Sequence, residues 1–381
     1  MEKSLVVVTI GDIHFGAMDS KILLKELREE FLNRLKEMPI IDLIVITGDL
    51  YDHKLSLNST HTKSCFSFIR ELCDIVIMKN AAVRVIKGTL SHDNDQLDNL
   101  NMFADMCDFK IIKSLVGEFF RGSNILYMPE EYLDVDSLYY DEWADTTWDL
   151  IFGHGMIKDA AFIAHKQESA ITMKKAIILK TEKLLDACKG VIMFGHIHTA
   201  GKYRKRFYYG GSFSRWCFGE EEDKGFNIIY YNSEYPERVK VEFMVNKQAR
   251  IFDTVTLDIR SSDVEQVCST IKNAIDVSVY DKKRVIVNLS EDIPNARLMS
   301  SMITEIFGKY ENIKLVINSL AKEQIRRNND EKVERLFEEF GFIFDKALSK
   351  EEKIYRYINK KYNRNIPVDK IRDYLFNKIV E

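Results

Sequence analysis

DLIVITGDLYDH, residues 42–53, carries an unbroken apolar run into Gly48 and then delivers Asp49, Asp52 and His53. A run of Leu, Ile and Val without alternation is the pattern of a strand buried on both faces, as in the parallel sheets of α/β proteins. A glycine lets the chain turn sharply off such a strand. The polar groups then fall beyond its carboxyl end, where functional groups of α/β sheets gather. One tip of this kind decides nothing, but four more occur. LVVVTI (5–10) leads into Gly11-Asp12-Ile13-His14, and VRVIKG (83–88) into Thr89-Leu90-Ser91-His92-Asp93. WDLIFGHG (148–155) contains His154, and GVIMFGHIH (190–198) ends in His196 and His198. Helical patterns separate the first runs: Leu24, Leu27, Phe31 and Leu35 share one face, and Phe66, Ile69, Cys73 and Val76 another. The fold class is therefore α/β. In a single parallel layer, the five tips are expected to converge at one edge of the sheet.

The 381 residues suffice for two or three domains, and 46% apolar with 30% charged residues is ordinary for a globular chain. No apolar run approaches the roughly 18 residues that span a bilayer, so no membrane association is expected. Six scattered cysteines without a C-x-x-C pair fit reduced thiols and a cytoplasmic location, and argue against zinc held by thiolates. Net charge is −4 overall, but residues 1–150 carry −11 and residues 151–250 carry +6. A nucleic-acid site must then be a local patch. All eight histidines lie in the first 198 residues.

Past residue 200 the pattern changes. KYRKRFYYGG (202–211), GFNIIYY (225–231) and RVKVEFMV (238–245) read as consecutive strands, a meander forming a second sheet packed on the first. From about 250 a smaller βαβαβ unit follows: the strands FDTVTLDI, RVIVNL and IKLVIN, with helices marked by Val264, Val267 and Ile271 and by Leu298, Met302 and Ile306. From about 319 the chain reads as helical and strongly charged. Ser349 and Glu352 form a capping box, and Ile371, Leu375 and Ile379 line a last short helix.

The five tips together hold several carboxylates and imidazoles. Such a cluster is unfavourable unless something pairs with it, because carboxylates repel and desolvated imidazoles need partners. Divalent cations resolve both problems. Carboxylate oxygen with imidazole nitrogen and no thiolate suits Mn²⁺, Fe²⁺ or Zn²⁺, and the number of donors suits two ions.

D-x-H, G-D-x-x-D, an N-H-D-like box, G-H and G-H-x-H, in this order over residues 4–245, resemble the calcineurin-like metallophosphoesterases. The resemblance implies a four-layer α-β-β-α sandwich over residues 1–248. It implies two divalent metal ions, Mn²⁺ first among them, held by Asp12, His14, Asp49, Ser91, His154, His196 and His198, with Asp49 shared. His92 would act on the phosphate and its leaving oxygen, and Asp52 would orient His92. The family writes G-N-H-D where this chain has Gly88-Thr89-Leu90-Ser91-His92-Asp93. Aligned on His-Asp, Ser91 takes the asparagine's place; aligned on Gly88, Thr89 is the contributor.

The layout after residue 248 resembles the nuclease subunit of SbcCD-type DNA double-strand-break repair complexes. That implies a capping domain at 249–318 and a helical region at 319–381 that binds an SbcC-like coiled-coil ATPase subunit, in a homodimer acting on DNA. Lys202, Arg204, Lys205 and Arg206, interleaved with aromatics, are candidates for tracking a DNA backbone. The Glu220–Lys224 charges read as a solvated turn, His53 as either a further site imidazole or an exposed loop residue, and His61 and His165 as surface residues. A stand-alone phosphatase or nucleotide phosphodiesterase, or a weakly active scaffold of the same fold, remain open as alternatives.

Overall fold

The computed structural model of the chain describes residues 4–131, 143, 145–157, 179–275, 281–290, 292–310, 312–319, 342, 348–362 and 367. His165 and the expected helix of Ile371, Leu375 and Ile379 lie outside them. Two compact units form, the first ending its main span at Thr254.

The first unit is built on two six-stranded sheets. In the first sheet, β1 (Ser4–Ile10), β2 (Leu43–Thr47), β3 (Ala82–Ile86) and β4 (Phe109–Ile112) run parallel, and β11 (Gly225–Asn232) and β12 (Lys240–Val245) extend it antiparallel beyond β1. The second sheet has the order β5 (Val116–Phe120), β6 (Ser123–Met128), β7 (Trp148–His154), β8 (Cys188–Gly195), β10 (Phe207–Tyr209) and β9 (Gly201–Arg204). The pleat sorts side chains between layers. Val7, Val45 and Ile86 face Tyr127, Phe152 and Met193 of the other sheet. Val8, Ile44 and Val83 face outward, onto α1 (Ser20–Leu27), a π-turn (Arg28–Leu32), α2 (Asn33–Glu37) and α3 (Thr60–Lys79). Leu184 and Leu185 of α4 (Thr181–Ala187) cover the outer face of the second sheet over Ile151, Ile192 and Phe194. This is the expected α-β-β-α sandwich.

Two expectations need correction. The five apolar runs do not share a layer: β1, β2 and β3 belong to one sheet, β7 and β8 to the other. Nor does the later meander form a sheet of its own, since β9 and β10 join the second sheet while β11 and β12 join the first. Hydrophobic periodicity reports that a strand is buried but not beside which neighbour. The short strands β4, β5 and β6 and the 3₁₀ segment Asn94–Phe103 were not legible as elements at all.

A buried ion pair joins the sheets. Arg84 of β3 is fully buried and donates from Nε and Nη2 to Glu118 of β5, both at 2.8 Å, and from Nη1 to Asp108 at 2.8 Å. An unpaired charge there would cost several kcal/mol.

In the second unit, β13 (Phe252–Ile259), α5 (Val264–Ala274), β14 (Lys282–Leu289), α6 (Ala296–Phe307) and β15 (Ile313–Ser319) follow in sequence, and the strands form a three-stranded sheet in that order. On α6 the buried stripe is Met299, Ile303 and Phe307, one position after the expected one, and Leu298 and Ile306 are exposed. The capping box is present at α7 (Lys350–Tyr362): Glu352 N donates to Ser349 Oγ at 3.2 Å, and Ser349 N to Glu352 Oε2 at 2.9 Å.

Within the first unit Glu26 of α1 is buried and accepts from Asn246 Nδ2 at 2.5 Å, while Asn246 also donates to Phe213 O. Burial pushes the Glu26 carboxyl up to about 7. The folded protein thus holds this proton to higher pH than the unfolded chain does. The stability it contributes is complete below about pH 4.5 and is lost as pH rises through about 7, to a limit of about 3 kcal/mol. Glu26→Gln is expected to flatten the fall in denaturation midpoint between pH 5 and pH 8 and to be more stable than the parent at pH 8, as chemical denaturation across that range will show.

Candidate metal centre

The carboxyl ends of β1, β2 and β3 meet those of β7 and β8, and the join is made by hydrogen bonds. His196 N, past β8, donates to Asp12 Oδ1 and Oδ2 at 3.1 and 3.2 Å. His154 Nδ1, at the end of β7, donates to Thr47 O at 2.8 Å. The loops after β1 and β2 remain paired beyond their strands, through Asp12 N to Gly48 O, His14 N to Asp49 O and Phe15 N to Leu50 O.

This crowding explains the glycines. A Cβ on Gly48 would lie 2.3 Å from His154 Nδ1, and its φ of +89° is itself a left-handed conformation. A Cβ on Gly88 would lie 2.2 Å from Asp49 Oδ1. Asp12, His14, Asp49 and His196 also adopt positive φ, between 49° and 88°. Four strained non-glycine residues at one place mark a site whose surroundings over-determine its geometry.

Two donor sets with every member buried result, Asp12, His14 and His198, and Asp49, His154 and His196, with candidate ligand atoms in each set within 4.8 Å of one another; a third grouping, His14 with the half-buried Asp52 and His92, lies beside the first. In the first, His14 Nε2 lies 3.3 Å from His198 Nε2, and Asp12 Oδ1 lies 3.8 Å from the latter. In the second, His154 Nε2 lies 3.3 Å from Asp49 Oδ2. Burial opposes the charge on His14, but the Asp52 carboxylate and then the charge of Asp49 raise its pKa; Asp49 also raises that of His154, so this carboxylate acts on both sets.

Thr89 fills the remaining corner. Its Oγ1 lies 3.3 Å from Asp49 Oδ2, 3.3 Å from His154 Nε2 and 3.5 Å from His196 Nδ1, and its amide donates to Asp49 Oδ1 at 2.6 Å. Ser91, the expected occupant of the asparagine's place, is exposed. The alignment that holds in space is the one on Gly88, with Leu90 and Ser91 inserted before His92. The turn closed by His92 N and Asp93 N on Thr89 O absorbs the two extra residues.

His92 stands beside the first set, its ring 4.9 Å from that of His14. Asp52 does hold it, but through the main-chain carbonyl, which accepts from His92 Nδ1. The Asp52 carboxylate turns instead to His14 Nδ1 at 3.5 Å and to the exposed His53, whose Nδ1 is 2.9 Å away. His61 is bonded to Ser20 Oγ at 2.8 Å. Of the basic hairpin, Arg204 pairs with Glu182 and Arg206 donates to the carbonyls of Lys189 and Leu185. Lys202 and Lys205 are exposed.

The electrostatics match the geometry. Burial opposes the charge on His154, but Asp49 outweighs it and drives the imidazole up to about 10. Burial and then His154 drive His196 down to about 3. Burial raises Asp12 despite its facing histidines. Burial also acts against ionised Asp49, yet His154 prevails and its carboxyl falls well below the usual range.

Several participants had no role assigned to them from the sequence. Asp93 accepts from the amides of Gly88, Asp49 and Tyr51 at 2.7–3.1 Å, clamping the β2 and β3 loops together. Glu130, buried two residues past β6, adds negative charge near His154. Glu220 and Lys224 are buried rather than solvated, with Glu220 Oε1 2.5 Å from His198 Nδ1.

Residues 5–200 match the calcineurin-like phosphoesterase family. The chain belongs to that family. Over 287 residues, 69% of this chain and 93% of the relative, it is also 24% identical to "Putative phosphoesterase 244L" of Invertebrate iridescent virus 6. Calcineurin-like phosphoesterases use divalent metals, and the donor set fits them: buried carboxylate oxygens and imidazole nitrogens, with two Nε2 atoms facing each other at 3.3 Å, an arrangement a shared cation favours. Asp12, His14 and His198 would hold one ion, and Asp49, Thr89, His154 and His196 a second.

Thr89→Val keeps the volume of the side chain and removes its hydroxyl. It is expected to weaken the second ion by about tenfold, on the scale of outer contacts at metal sites, and to leave the first unchanged. Mn²⁺ titration followed by calorimetry will resolve the two.

Proposed function

We propose that this protein is a two-metal-dependent DNA phosphodiesterase, an exonuclease and single-strand endonuclease that works with an SbcC-like ATPase in DNA repair, recombination or replication. The observation that carries the hydrolytic part is the meeting of two Asp/His donor sets with His92 at their edge. Bound divalent ions, Mn²⁺ foremost and Fe²⁺ or Zn²⁺ as alternatives, supply a water nucleophile at neutral pH and neutralise charge on the phosphate.

The chain's own residues supply position and protons. A carbonyl can only accept, so the bond to Asp52 O places a proton on His92 Nδ1. His92 Nε2 is left to hydrogen-bond a phosphate oxygen or to protonate the leaving oxygen. Asp52 O holds the His92 ring, and the Asp93 carboxylate ties the loop that carries Asp49 to the one that carries His92.

The DNA part rests on the βαβαβ unit and the charged helix α7 that follow the sandwich in sequence, on exposed Lys202, which lies over the Tyr208 ring, and on exposed Lys205. Purified protein with Mn²⁺ is expected to degrade linear DNA and to hydrolyse p-nitrophenyl phosphate poorly. Hydrolysis of the monoester alone points to a stand-alone phosphatase, and failure on both substrates to a scaffold. His92→Ala is expected to lower the cleavage rate by 10²–10⁴ with metal content unchanged. Loss of metal in that variant would reassign His92 as a ligand.

The helical partner-binding region includes α7, with its capped start at Ser349. Deleting residues 349–381 is expected to abolish capture of a coiled-coil ATPase subunit in a pull-down while leaving metal content intact. Unchanged capture would discard this docking role.

A further inference from the structure

The segment after β10 closes over the first donor set at several points. Ser212 N and Lys224 Nζ both donate to His198 O, at 3.1 and 2.9 Å. Trp216 Nε1 donates to Asp12 O at 2.9 Å, and the Trp216 ring lies 5.5 Å from that of His14 in an edge contact. Glu220 lies at the centre. Its Oε1 lies 2.5 Å from His198 Nδ1, and its Oε2 accepts from Trp216 N at 2.8 Å and faces Lys224 Nζ at 3.4 Å. Glu220 and Lys224 are each only 1% exposed.

A carboxylate and an ammonium buried this deeply cost several kcal/mol each in desolvation, and a surface turn has no need of them. Their arrangement shows what they do. An ionised carboxylate only accepts, so the nitrogen it faces, His198 Nδ1, must carry the proton. With the proton on Nδ1, Nε2 is the nitrogen that can offer a lone pair, and it is the atom turned toward His14 Nε2 and Asp12. A carboxylate behind a ligating imidazole fixes its tautomer and rotation and raises its basicity.

We propose that Glu220, seated by Lys224 and Trp216, is a positioning residue that holds His198 in the tautomer and orientation that present Nε2 to a divalent cation in the first donor set. The inference rests on the metal-centre reading above. Lys224 neutralises the carboxylate without displacing it from His198, and the Trp216 indole ties the same loop to Asp12 and His14. One loop therefore touches all three residues of this set.

The test uses the full chain with ¹⁵N-labelled histidine. Long-range ¹H–¹⁵N spectra of the metal-free protein, with His198 assigned by a His198→Asn variant, report the tautomer directly. Mn²⁺ titration by calorimetry reports both ions. The expected result is His198 protonated at Nδ1 in the parent. Glu220→Ala is expected to bind one ion 10–100-fold more weakly and the other as before, and Glu220→Gln, which can still accept through its amide oxygen, about tenfold more weakly. If Glu220→Ala does not fold, Glu220→Gln and the parent's tautomer decide. His198 bare of a proton at Nδ1 in the parent, or two unaltered ions in the folded variants, would overturn the proposal. Parent protein that takes up no Mn²⁺ overturns instead the metal-centre reading, and this inference with it.

Discussion

The amide of His196 donates to both oxygens of the Asp12 carboxylate, and the rest of the site depends on that contact. Asp12 follows the first strand of one sheet, and His196 follows the fourth strand of the other. Between the sheets lie Val, Leu, Ile and aromatic side chains, the buried Arg84–Glu118 pair, and further polar bonds such as His154 Nδ1 to Thr47 O and Tyr231 OH to Asp149 Oδ1. Apolar contacts fill space but are non-directional. Directional bonds at the strand ends fix how far one sheet is slid along the other, and thereby whether three imidazoles from one sheet face two carboxylates and an imidazole from the other.

Much of this was readable from residues 4–198. Near-continuous Val, Ile and Leu marked the strands, and the Gly-Asp and Gly-His endings marked where chemistry gathers. The strand-end residues Asp12, His14, Asp49, His154, His196 and His198 do meet in space. Their division between two sheets was hidden, because pattern shows burial and not neighbours. The position of Thr89 was ambiguous for a related reason. A two-residue insertion can be placed on either side of a ligand in a sequence, and only the turn closed on Thr89 O settles which hydroxyl faces inward. Glu220 and Lys224 were misread because charge in a Gly-flanked loop predicts solvent on average, and the average fails where a buried imidazole needs an acceptor.

Backbone conformation was the least accessible layer. Left-handed φ at Asp12, His14, Asp49 and His196 has no compositional signature, since Asp and His adopt it more often than most residues but still only as a minority conformation. Each such residue costs of order 1 kcal/mol or more. Strain of this kind persists where hydrogen bonds such as Asp12 N to Gly48 O and His14 N to Asp49 O hold the loops in place.

The division of the donors between two sheets has a thermodynamic corollary. Ions coordinated from both sides would act as rivets across the sandwich, and anything that favours the folded form over the unfolded one adds to its cohesion by mass action. Occupancy of the centre and resistance to shear between the β-layers then become one quantity seen from two directions. A cell poor in the right metal would hold a protein that is not only idle but also looser.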